Sequence, residues 1–123
     1  MTTPAERRAR PGELLLVDLE PVRGTEQNCR RPALVVSNDE MHLLACRVIV
    51  CPITRNRDPW PTKVMLPAGL AAEGAVLVDQ VRSIDRDARI LRSLGFVPDV
   101  VLAEVRGRLA TLLSLLSDDG ARP

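Results

Sequence analysis

Glu20-Pro21-Val22-Arg23-Gly24-Thr25-Glu26-Gln27-Asn28-Cys29-Arg30-Arg31-Pro32-Ala33-Leu34-Val35-Val36-Ser37-Asn38 passes from a polar, turn-forming segment into an apolar run. The apolar half reads as a strand from Ala33 to Ser37, built from valine and leucine and closed by Asn38. The polar half offers a cation, a hydroxyl, a carboxylate and an amide at Arg23, Thr25, Glu26 and Gln27. A loop held between two strands carries chemistry more often than packing. Upstream, Leu14 to Leu19 reads as the strand that leads into it, and downstream Cys51-Pro52-Ile53-Thr54 ends another apolar strand on a second hydroxyl.

Further strands are predicted at Val48 to Ile53, Lys63 to Leu66, Val76 to Asp79 and around Arg82 to Ile84, with a short one near Arg89 to Leu94. Asp39 to Ala45 has room for a helical turn or two capped by Asn38 or Asp39, with His42 on its surface. From Pro98 to Leu116, Val101, Val105, Leu109, Leu112, Leu113 and Leu116 recur at helical spacing, while Glu104 and Arg108 form an i,i+4 pair on the other side. Pro98 suits the first turn and Asp99 the N-terminal end of the helix dipole. The fold class that follows is α+β and mainly β, a small and strongly bent antiparallel sheet or partial barrel covered by a C-terminal helix. Residues 1–10 read as a flexible arm, 11–117 as a single domain and 118–123 as a loose tail.

With 123 residues, 46% of them hydrophobic and 27% charged, the chain suffices for one globular domain with a modest core. No apolar run approaches the roughly 20 residues of a membrane span, and nothing hydrophobic follows the charged N-terminus, so a cytoplasmic protein without membrane contact is expected. Cys29, Cys46 and Cys51 form an odd set without a Cys-x-x-Cys pair, and His42 is the only histidine. Neither a disulfide framework nor a closed zinc site can be assembled from them, and no metal or cofactor is expected. The cysteines read as small buried or half-buried apolar residues.

The net charge of +1 argues against tight nonspecific binding to duplex DNA by charge alone. Lys63 is the one lysine among 17 basic residues. Arginine gives bidentate phosphate contacts, although a GC-rich genome produces the same bias without function. Tyrosine is absent and Trp60 and Phe96 are the only aromatics, so RNA recognition would rest on hydrogen bonds and arginine rather than an aromatic platform.

Several strings, in order, carry a resemblance to a known family. They are Gly12-Glu13, Val17-Asp18-Leu19, Arg23-Gly24-Thr25-Glu26-Gln27, Arg31-Pro32-Ala33-Leu34-Val35-Val36-Ser37-Asn38, Pro52-Ile53-Thr54, Pro67-Ala68-Gly69 and Val78-Asp79-Gln80-Val81-Arg82-Ser83-Ile84-Asp85. From Pro11 to about Leu116 the chain resembles the MazF/PemK toxins, ribosome-independent endoribonucleases of toxin–antitoxin pairs. The resemblance implies the SH3-like barrel shared with the CcdB toxins, a homodimer, single-stranded RNA as substrate, and a cognate MazE-type antitoxin. It implies contact with DNA only indirectly, through the antitoxin complex. It sets the family's catalytic arginine at Arg23 and its catalytic threonine at Thr54. Leu15 stands where the family often carries tryptophan, a departure that bears on sequence preference.

A single histidine rules out a pair of imidazoles as acid and base, so cleavage has to use the RNA's own 2′-hydroxyl. Attack on the adjacent phosphorus would leave a 2′,3′-cyclic phosphate and a 5′-hydroxyl. On this scheme Arg23 stabilises the five-coordinate phosphorane, Thr54 orients the scissile phosphate and Glu26 accepts the 2′-OH proton. Thr25, Gln27, Arg55, Asp79, Gln80 and Arg82 are the candidate RNA contacts. A structural network at a strand end is the alternative for Asp79, Gln80 and Arg82, and a solvent-facing charge is the alternative for Arg55. Two other functions fit the same fold: a CcdB-like toxin that binds a topoisomerase, and a noncatalytic barrel acting only through protein contacts. Cleavage of labelled RNA in EDTA separates the enzyme from both.

Overall fold

The computed structural model describes residues 9–19, 30–44 and 46–115. Seven strands form one antiparallel sheet: β1 (Glu13–Asp18), β2 (Arg30–Val35), β3 (Arg47–Thr54), β4 (Lys63–Met65), β5 (Ala75–Leu77), β6 (Arg82–Asp85) and β7 (Ile90–Phe96). Three helices accompany them, α1 (Asp39–Leu44), α2 (Arg86–Arg89) and α3 (Asp99–Leu112). The strand order is β4-β5-β3-β2-β1-β7, with β6 also on β3. This is the α+β architecture that the alternating apolar pattern and the single long terminal helix imply.

Alternation along the strands sorts the core into two clusters. Leu14, Leu34, Cys51 and Ile53 point to one face, where Val101 and Val105 of α3 pack with Val64, Val76 and Val78. Leu15, Val17, Ala33, Val35, Val48, Val50 and Ile84 point to the other. The sheet bends because β1 meets β7 with two register shifts, between Leu14 and Leu15 and between Leu16 and Val17. Such irregularities increase local twist. Pro52 lies where β3 changes partner: Arg47 to Val50 pair with β6, whereas Ile53 and Thr54 pair with β5. A residue with no N–H weakens the ladder, and the exchange occurs at that point.

Several expectations change. His42 is not on a helix surface: it is 1% exposed, and its Nε2 hydrogen-bonds with Ser37 Oγ at 2.6 Å, while Ile49 N–H donates to the same oxygen at 3.0 Å. A six-residue helix wedged between β2 and β3 turns one side inward, and the serine gives the imidazole a partner there. The terminal helix stops at Leu112, and Leu112 and Leu113 are 47% and 59% exposed rather than on the buried face. Ser114 adopts φ 58°, Ser114 N–H donates to Thr111 O and Leu115 N–H to Ala110 O, a Schellman ending that turns the chain after the contact with the sheet is complete. Leu116 lies outside the described residues. The strand expected through Asp79 ends at Leu77, and Val78–Gln80 form a 3-10 turn. The short strand expected near Arg89 runs longer, through Phe96.

Two helix details agree with the sequence. Pro98 stands at the entrance of α3, and Arg108 pairs with Glu104 at 3.0 Å. Arg108 also donates to Pro61 O at 2.6 Å, tying α3 to the β3–β4 connection. Of the cysteines, Cys51 is buried and its thiol is pushed up to about 12, by burial first and then by the charge of Asp79. Cys46 is exposed, which differs from its expected burial, and Cys29 lies outside the described residues.

Candidate active site

β3 runs buried from Val50 to Ile53 and surfaces at Thr54, the half-buried last residue of the strand. The backbone of Thr54 is pinned from the β5 side. Gly74, at φ +124°, lies so close that a Cβ added there would overlap the Thr54 carbonyl oxygen and sit 2.8 Å from its carbonyl carbon. Thr54 Oγ1 accepts a hydrogen bond from Asn56 N–H at 3.2 Å, a local turn that leaves the hydroxyl proton to be donated elsewhere.

Across the sheet, β2 and β3 pair as Ala33 with Pro52, Leu34 with Cys51 and Val35 with Val50. That pairing ends at Ala33 and Pro52, so Arg31 on β2 and Thr54 on β3 both lie beyond it. Ala33 and Val35 share their cluster with Val48 and Val50, so alternation sends Arg31 and Thr54 to that same face. Arg31 is exposed. Arg82 is paired with Val50 and Ile84 with Val48, and Ile84 belongs to the same cluster, so Arg82 also shares this face. Arg82 sits four residues down β3 from Thr54, about 13 Å at the usual strand rise. Arg55 follows Thr54 on an exposed loop.

Of the candidate residues, Thr54 and Arg55 are thus neighbours at the end of β3, and Arg82 shares the face of Thr54 further along the strand. Asp79 and Gln80 are exposed on the 3-10 turn. Asp79 acts electrostatically on Cys51, whose side chain belongs to the cluster under α3, the opposite face of β3 from Thr54. Arg23, Thr25, Glu26 and Gln27 lie outside the described residues. The segment that carries them leaves β1 at Asp18 and returns at Arg30, two residues that are paired with each other and adjoin Arg31.

Two residues escaped the sequence reading. Arg31 was visible only as the start of an Arg-Pro string, because the face it shares with Thr54 depends on the β2–β3 register. Gly74 left a signal, a lone glycine just before a strand, which often marks close backbone approach.

An arginine on the same sheet face as a strand-end threonine suits a phosphodiester. Residues 10–113 match the family model described as PemK-like, MazF-like toxin of type II toxin-antitoxin system. The chain belongs to the PemK/MazF toxin family. It is 39% identical over 117 residues to endoribonuclease MazF9 of Mycobacterium tuberculosis, covering 88% of this chain and 98% of that relative. The crystal structure of MazF from Deinococcus radiodurans superposes with a TM-score of 0.76 at 40% identity, covering 87% of this chain and 97% of the other. A MazE–MazF crystal structure from the same organism gives a TM-score of 0.79 at 39% identity, covering 87% and 96%. Among the described residues of this PemK/MazF member, no helix is long and apolar enough to cross a membrane.

Proposed function

We propose that this PemK/MazF member is a sequence-selective, metal-independent endoribonuclease acting on single-stranded RNA in the cytoplasm, with mRNA as its main target. The nucleophile is the ribose 2′-OH, and the products end in a 2′,3′-cyclic phosphate and a 5′-hydroxyl. The observation that supports this most directly is that Arg31 and Thr54 share one face of the sheet, just beyond the last pair of β2 and β3. A guanidinium fork there binds two phosphate oxygens and stabilises the charge that grows on the phosphorane. The Thr54 hydroxyl, already accepting from Asn56, donates its proton to a third position on the phosphate. Arg23 adds a second cation and assists the leaving 5′-oxygen, and Glu26 takes the 2′-OH proton. Thr25, Gln27, Arg55 and Arg82 hold the flanking nucleotides, with Asp79 and Gln80 at the margin. The buried His42, engaged with Ser37, has no part in the chemistry.

A MazE-type antitoxin restrains the enzyme by covering this face with an acidic segment that folds on binding. The MazE–MazF complex of Deinococcus radiodurans supports that partner. The active form is a homodimer: Leu91 and Phe96 on the terminal strand β7, with Val100 and Leu112 on α3 and Leu113 just beyond it, are exposed apolar side chains that a symmetric copy would cover. Contact with DNA comes only through the antitoxin complex.

Replacing the 2′-OH at the scissile nucleotide by hydrogen is expected to block cutting and preserve binding, and EDTA to leave the rate unchanged. Mass spectrometry of the fragments decides the chemistry, because 5′-phosphate and 3′-hydroxyl ends would mean that water attacked instead. Light scattering is expected to give twice the 13.5 kDa chain mass, and a monomer at micromolar concentration would refute the dimer.

A further inference from the structure

The connection from β3 to β4 is short, polar and closed by one side chain. Lys63, half-buried at the first position of β4, directs Nζ back across the turn. It donates to Asn56 O at 3.2 Å, to Asn56 Oδ1 at 3.2 Å and to Asp58 O at 3.0 Å. Three acceptors match the three donors of an ammonium. Asn56 Oδ1 also accepts from Asp58 N–H at 2.8 Å, so both the carbonyl and the side chain of Asn56 are held. Its backbone N–H is the group that donates to Thr54 Oγ1 at 3.2 Å.

The turn is braced from outside as well. Arg57 Nη1 donates to Gly74 O at 2.8 Å and to Leu66 O at 3.3 Å. Arg108 Nη1 donates to Pro61 O and, at 3.2 Å, to the carbonyl of Lys63 itself. The peptide that aims at the Thr54 hydroxyl is therefore fixed on both sides.

We propose that Lys63, acting through Asn56, is a positioning residue that holds the Thr54 hydroxyl in the orientation from which it donates to the scissile phosphate. The inference rests on Thr54 acting on that phosphate, as argued above. A strand-end threonine left to itself rotates among its wells and turns its O–H to nearby backbone carbonyls. Once its oxygen accepts from a fixed N–H, its own proton points outward. A donor aimed in advance needs no reorganisation when charge develops on the phosphate oxygens. Lys63 contributes this orientation without touching RNA, because its donors are spent on the turn.

The test is Lys63→Met and, on the exposed side of the same chain of contacts, Asn56→Ala, each assayed for kcat and for binding of a 2′-deoxy RNA that cannot be cut. Both are expected to lower kcat about tenfold, in line with small displacements of a catalytic group, with affinity and its salt dependence unchanged. In a Thr54→Ala background, Lys63→Met is expected to have no further effect on the rate. Wild-type kcat in both variants would overturn the inference, as would weaker binding with a smaller salt slope, which would make Lys63 a direct phosphate contact. An additive effect in the Thr54→Ala background would overturn it too. If Lys63→Met melts below the assay temperature, Asn56→Ala carries the test alone. Undiminished cleavage by Thr54→Ala by itself would instead sink the reading of the active site.

Discussion

Arg31→Ala is expected to lower RNA cleavage by about 10²- to 10³-fold, the loss that follows removal of one well-placed donor to a developing oxyanion. Arg31 is exposed on the face that Thr54 shares and fills no part of either apolar cluster, so its truncation leaves the core intact. Thr54→Ala is expected to match it in size, since the hydroxyl's described hydrogen bond is one acceptance at 3.2 Å within an exposed turn. Arg31→Lys should be nearly as poor, because a point ammonium cannot form the fork on two phosphate oxygens. Arg23→Ala is expected to abolish or greatly weaken cleavage as well, since the resemblance sets the family's catalytic arginine there. The check is cleavage of a mixed-sequence RNA beside circular dichroism and a melting curve for each variant. Near-wild-type rates for folded Arg31→Ala and Thr54→Ala would end the assignment, and a larger loss at Arg23 would move the principal cation to the loop.

The second large effect is at Gly74. Its φ of +124° disfavours any side chain, and a Cβ there would collide with the backbone of Thr54 and come within 3.0 Å of Arg55 Cα. Backbone atoms cannot swing aside as a side chain can, so either β5 or the end of β3 must shift. Dihedral strain and overpacking together are expected to cost about 3 kcal/mol or more, a fall of about 10 °C or more in Tm for a domain of this size. Gly69 separates the two contributions, because it also has a positive φ, +92°, but nothing within 4 Å of an added Cβ. Gly69→Ala should cost about 1 kcal/mol of strain and leave cleavage untouched. Gly74→Ala should lose cleavage beyond its loss of folded protein, as Thr54 is displaced. Equal melting temperatures and equal activities for the two variants would show that the close approach at Gly74 is not required.

Much of the architecture was legible in the order of residues, for a local reason. The apolar run of Leu14 to Leu19 and the valine-rich runs of β2 and β3 specify buried strands, and Val101 with Val105 specifies the inward side of a helix. These are periodicities within a few neighbouring residues. Thr54 was legible as a strand-end hydroxyl, and the ordered family strings led to the family that the comparisons show.

What tertiary structure alone decided are contacts between residues far apart in the chain. Arg31 shares a face with Thr54 because the β2–β3 register opposes Ala33 to Pro52, and a slip of one residue would send the arginine to the other face. Gly74 touches Thr54 because β5 pairs with β3 across a long excursion through β4. His42 is buried because Ser37 waits beneath a short helix, although its sequence surroundings are polar. Leu112 and Leu113 keep the helical spacing of core residues, yet the sheet beneath α3 ends before they reach it, and they remain exposed. Local sequence sets which way each side chain can point. Only the pairing of distant strands sets what it meets there.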